Sequence, residues 1–433
     1  MSSLGAPGFP ERAVRARART GRAEVFPAAD GYGAELFGAA SPEGVPDALD
    51  ALRIVPPVFM PRRLEKLIDL GREPSYEDVD LATPIGGFTA RLPLYLSAFG
   101  STRAGSGDLG VAAGRQAARL GIPMVIGENM VPVHGYARGG GEGGATRSAL
   151  LERIAAYAES LPDGVGGVVV QQSTEDADSE VWNLLYSDPG TRVLRDSGRL
   201  GFELKVGQGA KPGLGGMTVV GAAEAERLAG RFTVRDLLGQ ADGADGRRLR
   251  CATPGTFTEE IVRQQLRFMR NNFPLARTWV KFHPGRDIAA ATATAWAAGA
   301  DAVTVDGAEG GTGWAPRVFL DQVGLPLGEC LRRIGRPAGD LLATGRIWEG
   351  GRATRALALG ATAVGLGRAA LLAVDEDPEA GLVRLAEALA LELRLLVSAL
   401  GKYRVADLDP TDLWSPEAPV TGTVAAVALG SLS

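Results

Sequence analysis

Thiols and imidazoles are scarce in this chain. Its 433 residues include two cysteines, Cys251 and Cys330, and two histidines, His134 and His283. Two thiols build neither a disulfide framework nor a cysteine-based metal motif, and two imidazoles argue against zinc, so no metal site is expected. A reducing, cytoplasmic setting fits this cysteine usage. No run of 18 apolar residues occurs, so no membrane-spanning helix is expected. The opening "MSSLGAPGFPERAVRARART" lacks the apolar core of a secretory signal. Its Arg-rich part, Arg12 to Arg22, lacks the Ser enrichment of a transit peptide and reads as a solvated helix face or arm. A net charge of −5 gives no reason to expect nucleic acid or an anionic membrane as partner.

Glycine, by contrast, is abundant: 60 residues, about twice the usual share. From residue 92 onward, short apolar runs alternate with Ala/Leu-rich helical stretches. The runs are "LPLYLSAFG" (92–100), "IPMVIGEN" (122–129), "GGVVVQQ" (166–172), "GFELKVGQG" (201–209), "TWVKFHP" (278–284), "DAVTVDGAEGG" (301–311), "DLLATGR" (340–346) and "TAVGLGR" (362–368). Continuous apolar strands separated by helices imply a parallel sheet covered on both faces. Eight such units predict an α/β fold, a (β/α)8 barrel, over residues 86–374. A doubly wound sheet fits less well, because no G-x-G-x-x-G opens a helix after an early strand. Residues 1–85 are expected to pack on the barrel as an N-terminal extension. Residues 210–277 are expected to be a long insertion after strand four, and 375–433 a C-terminal helix and tail.

Barrel active sites lie at the C-terminal ends of the strands. The ring predicted there includes Ser97 to Gly100, Glu128, Gln171, Gln172, Lys205, Gln208, Lys281, His283, Asp306, Glu309, Gly345, Arg346, Gly367 and Arg368. Few of these are conventional nucleophiles. With two lysines and two arginines, the ring suits a polar, anionic ligand. The last two units place Gly345-Arg346 after strand seven and Gly365-Leu366-Gly367-Arg368 after strand eight, where barrels commonly bind phosphate on backbone N–H groups. The plainer reading is an Ala/Gly-rich helix with two turns.

These last loops resemble the FMN phosphate site shared by several flavin-dependent barrels. "FELKVGQGAKPGLGG" (202–216) is similar to the K-x-x-Q-G-A-K-P-G segment of the glutamate synthase FMN domain, and "DGAEGGTGWAP" resembles that family's G-G-T-G-A-x-P segment. "SAFGS" and "GEN" match its S-x-S-F-G and G-E-G-G turns. The resemblance extends from about residue 56 to 412. It implies FMN as cofactor, with Ser97, Ala98, Phe99 and Gly100 against the isoalloxazine ring and Gln172 near its pyrimidine edge. It further implies Lys281 directed at flavin N1/O2. A barrel lysine merely paired with a carboxylate is the structural alternative. Asp306, Gly310, Gly311 and Thr312 are expected beside the flavin, and Gly345, Arg346, Gly365, Gly367 and Arg368 around its phosphate. Lys205, Gln208, Lys211 and His134 are expected on the substrate side. His283, Glu309 and Glu128 are the remaining proton carriers.

Departures from the family's pattern matter equally. The chain begins without the cysteine nucleophile of a glutamine amidotransferase domain, so use of glutamine by that route is not expected. "ALLAVDEDPEAGLVRLAEAL" runs past strand eight without the family's iron–sulfur cysteines, so no cluster is expected. "CATPGTF" stands where the family has "SPPPHHD", which predicts a different substrate roof. The resemblance therefore implies an FMN-dependent oxidoreductase acting on a small polar metabolite, amino- or keto-acid-like or specialised, by hydride transfer at flavin N5. NAD(P)H or another donor would supply electrons, and related barrels commonly self-associate as homo-oligomers. A redox-neutral FMN-dependent isomerase or lyase and a non-catalytic FMN-binding subunit are the alternatives.

Overall fold

The computed structural model describes residues 4, 6, 8–26, 47–98, 103–104, 107–127, 142–173, 181–207, 209, 217–230, 233–236, 248–251, 257–310 and 317–415. Eight parallel strands close into a barrel: β1 (Leu94–Leu96), β2 (Met124–Ile126), β3 (Val168–Ser173), β4 (Leu200–Lys205), β5 (Arg277–Phe282), β6 (Ala302–Asp306), β7 (Asp340–Thr344) and β8 (Ala363–Leu366). Each lies within one of the eight apolar runs, to within a residue. The strands are buried along nearly their whole length, as strands covered on both faces must be.

Alternation along each strand divides the side chains cleanly. Val280 and Phe282, Val303 and Val305, and Val364 and Leu366 join the main core between strands and helices. Trp279, Ala302, Leu342, Ala363, Tyr95, Val125 and Val169 point the other way and fill the barrel. A short hairpin, Thr83–Ile85 with Phe88–Ala90, closes the barrel's N-terminal end by adding Ile85, Phe88 and Ala90 to that inner cluster. Its turn is fixed by Trp279, whose indole donates to the Gly86 carbonyl at 2.9 Å, and by Asp340, which accepts from the Gly86 amide at 2.7 Å.

Helices Leu109–Leu120, Glu142–Glu159, Val181–Ser187, Glu259–Asn272, Ile288–Ala297, Leu327–Ile334, Gly350–Ala358 and Arg368–Glu376 follow the successive strands. The stretch 210–277 thus holds a barrel helix in its second half. Its first half contains a three-stranded antiparallel sheet, Met217–Val220, Arg248–Cys251 and Thr233–Asp236 in spatial order. The C-terminal helix Gly381–Ala399 buries its Leu/Ala stripe, including Leu382, Leu385, Leu389 and Leu393, in the main core.

Only part of the N-terminal arginine run is solvated: Arg12, Arg19 and Arg22 are exposed, whereas Arg15 and Arg17 are packed. Helix Glu11–Thr20 packs on the last two helices, and Arg15 pairs with Asp375 and Glu376 at 2.8 and 3.0 Å. Arg17, buried, bonds both oxygens of Glu392 and lies over the Trp348 ring. The apolar face of the helix, Val14 and Ala18, is fully buried, which is why the charges on its flanks find partners rather than water. A two-residue pairing of Arg53–Ile54 with Leu413–Trp414 ties the extension to the chain's far end. Among the described residues, no helix is long and apolar enough to cross a membrane.

Candidate active site

Inner positions toward the C-terminal end of the barrel change from apolar to polar. Two residues past Trp279 comes Lys281, two past Ala302 comes Thr304 and then Asp306, and two past Leu342 comes Thr344. On β4 the same face carries Glu203 and Lys205, and on β3 Gln171. Lys281 Nζ lies 3.1 Å from Asp306 Oδ1, and both side chains are almost wholly buried. Thr344 donates to the same carboxylate. Lys205 stands beside Lys281 in the β4–β5 register. One layer deeper, Glu203 accepts from Thr304 at 2.8 Å and from the Gln171 amide.

Burial dominates the electrostatics of this array. It pushes the Asp306 and Glu203 carboxyls up, and the Lys281 ammonium opposes the rise in both. It also raises the Tyr95 phenol, which lies against Glu203 and Asp306. Fixed ammonium groups and carboxylates in a low-dielectric barrel act far more strongly than in water. The array can therefore hold an anion at the mouth and exchange protons with it.

Several expected residues converge here: Lys281, Asp306 and Lys205 share the inner face, with Ser97 buried two residues beyond the inward Tyr95. Lys281 is carboxylate-paired, as the structural alternative expects, yet it stands at the mouth beside a second lysine. His283 lies just past β5, packed against Gly207 and Gly285, with its Nδ1 buried without a partner. Burial lowers its pKa, opposed by Asp287, so the ring is neutral near pH 7. Gln172 is buried, but by alternation it lies on the parity of Val168 and Val170, which face the helices; its neighbour Gln171 faces inward.

Around the last two loops the picture differs from expectation. Glu309, expected as a proton carrier, turns to Arg352 at 2.7 Å and accepts from the Leu327 amide, because a fully buried guanidinium and a helix start lie within its reach. Arg346 lies 3.3 Å from Asp50 of the N-terminal extension, and Arg368 donates to the Leu4 carbonyl at 2.5 Å. The phosphate subsite would therefore rest more on backbone than on these guanidiniums. Helix Arg368–Glu376 opens at Gly367 without a side-chain cap, and a Cβ at Gly367 would meet no atom within 4 Å. First-turn N–H groups lack intrahelical acceptors, so this end suits a phosphate. Gly310 and Gly345 both lie against Gly307, in the β6 and β7 loops, and Gly365 lies inward on β8 against Tyr95. Phe99, Gly100, Glu128, His134, Gln208, Lys211, Gly311 and Thr312 lie outside the described residues. Cys330 is a buried thiol pushed up to about 12 by its burial; the Cys251 side chain is outside the described set.

Glu203, Thr304 and Thr344 are members of the array that motif reading did not nominate. The signal was available: each is two residues from a nominated residue, or level with one across a strand pair, and so shares its face.

A closed parallel barrel with a charged, lysine-bearing C-terminal mouth defines the class: a (β/α)8 barrel protein with its site at the strand ends. Over part of its length the chain is similar to glutamate synthases. The family model for the conserved region in glutamate synthase matches residues 256–376. A glutamate synthase large subunit-like protein of Rhizobium meliloti is 34% identical over 54% of this chain and 53% of its own length. An archaeal glutamate synthase [NADPH] of Methanocaldococcus jannaschii is 35% identical over 40% of this chain and 34% of its own. The chain thus spans about half, or less, of the curated relatives it matches. Among solved structures, a soluble mutant of the membrane-associated (S)-mandelate dehydrogenase from Pseudomonas putida superposes with a TM-score of 0.53 at 19% identity, covering 94% of this chain and 99% of that one. A flavocytochrome b2 variant with sulfite bound gives 0.53 at 17%, over 85% and 76%. These similarities establish the fold.

Proposed function

We propose that this chain is an FMN-dependent oxidoreductase acting on a small polar metabolite, amino- or keto-acid-like, in the cytoplasm. The observation that carries the reading is the buried Lys281–Asp306 pair beside Lys205 at the C-terminal mouth. The open, uncapped helix start at Gly367 supports it, as does the match to the conserved region in glutamate synthase.

FMN, when bound, supplies reversible hydride exchange at its N5. The chain's own residues supply the rest. Asp306 holds the Lys281 ammonium in place, so it presents a preorganised positive group to negative charge at the mouth. Lys205 offers a second ammonium, suited to a substrate carboxylate. His283, neutral near pH 7, can accept or deliver a proton beside them. Backbone N–H groups at Gly367 and beyond would hold the phosphate. NAD(P)H or another soluble donor is the proposed source of electrons; several of the similar proteins are named as NADPH enzymes.

Anaerobic half-reactions test this. FMN-loaded protein is photoreduced and mixed with 2-oxo acids plus ammonia, and the oxidised form is mixed with amino acids or NADPH. Reoxidation or bleaching of the flavin band by one of these is expected. Substrate turnover with no net change of flavin state would instead indicate a redox-neutral enzyme.

A further inference from the structure

We propose that Arg352 is a positioning residue: it holds the turn after β7 in its cofactor-binding shape and couples FMN retention to docking of the segment around Asp47 and Asp50. The inference rests on the FMN reading above.

Arg352 is fully buried, and all three of its nitrogens donate hydrogen bonds. Nε donates to the Gly345 carbonyl at 3.1 Å. Nη1 donates to Asp47 and Asp50 at 2.9 Å each, and Nη2 to Glu309 at 2.7 Å, with Asp47 Oδ2 at 2.8 Å. One side chain therefore joins three separate stretches: the extension, the β6 loop and the β7 turn. A lysine, with a single nitrogen, cannot reproduce that fork.

The turn it holds is strained. Gly345 has φ +144° and Arg346 φ +57°, and among the described residues Arg346 is the sole non-glycine with positive φ. Such conformations persist only where the surroundings over-determine them, and they cluster at functional sites. Here the surroundings are Arg352 on the Gly345 carbonyl and the Asp47/Asp50 pair, which also lies beside Arg346 at 4.0 and 3.3 Å. Gly345 packs directly against Gly307 and Glu309 of the β6 loop, so loosening Arg352 frees both loops at once. The acids of the extension thereby become part of the cofactor site without touching it.

The test uses the full chain as wild type and three variants: Arg352→Lys, Asp50→Ala and, as control, Tyr157→Phe, which removes buried hydrogen bonds to Ile122 and Gly167 at the N-terminal end of the barrel. FMN dissociation constants are measured by fluorescence quenching, bound-flavin visible spectra are recorded, and apo-protein melting temperatures are compared. Arg352→Lys and Asp50→Ala are expected to raise the FMN dissociation constant at least tenfold and to shift the flavin band. Tyr157→Phe is expected to lower the melting temperature alone. Should Arg352→Lys fail to fold, Asp50→Ala carries the test. Wild-type affinity in these variants would overturn the proposal and leave the FMN reading standing. A wild type that binds no FMN would overturn both.

Discussion

Lys281 and Asp306, on adjacent strands of the barrel, form an ion pair at 3.1 Å from which water is excluded. Removing one partner of such a pair strands the other charge. Lys281→Met is therefore expected to cost about 3–5 kcal/mol of stability, with Asp306 driven to its protonated form. Adding Asp306→Asn should recover much of that loss, as read by urea denaturation. In the FMN-loaded single variant, flavin reduction should slow by orders of magnitude. An unchanged rate would remove Lys281 from the chemistry.

Gly367 separates folding from binding. No atom crowds a side chain there, and a carboxylate at a helix start is favourable by about 0.3–1 kcal/mol. Gly367→Asp should thus leave the melting temperature level or higher while weakening FMN binding at least tenfold, because its charge occupies the phosphate position. Tight FMN binding by this variant would move the phosphate elsewhere.

Gly365 behaves oppositely. A Cβ there collides with Thr344 Cγ2 and with the Tyr95 ring, both buried. Gly365→Ala is expected to destabilise by about 1–3 kcal/mol through overpacking. A denaturation midpoint equal to that of wild type would show that the inner layer is looser than these contacts imply.

Glu309 gives the fold a pH signature. Burial raises its carboxyl to about 7 against the pull of Arg352, with Asp47 adding to the rise. A carboxylate with raised pKa binds its proton more tightly when folded. Its contribution is therefore greatest at low pH and is lost as pH climbs from 4.5, the ordinary value, through about 7. Glu309→Gln should flatten that part of the stability–pH curve. An identical slope in the variant would assign the effect to another group.

The barrel was legible because its signal is periodic and local. Apolar runs such as "VVV" at 168–170 and "AVTV" at 302–305 are buried on both faces and have no polar alternation to confuse them. The placement of Lys205, Lys281 and Asp306 at the mouth was legible, since strand ends define a barrel mouth. What sequence order hid was partnership across distance. Asp47 and Asp50 lie some three hundred residues from Arg352, and nothing local in "DALDALR" announces an ion cluster. Glu309 was misdirected for the same reason: its orientation depends on a guanidinium in the following unit. Gln171 and Gln172 differ only in strand parity, which a two-residue polar ending does not specify.

The central claim is that FMN sits at the C-terminal mouth, anchored by its phosphate. Parallel titrations of the apo-protein with FMN and with riboflavin, which lacks the phosphate, test it most directly. Saturable FMN binding near one per chain is expected, with riboflavin weaker by two orders of magnitude or more. Equal affinity for the two, or no binding of FMN, would contradict it.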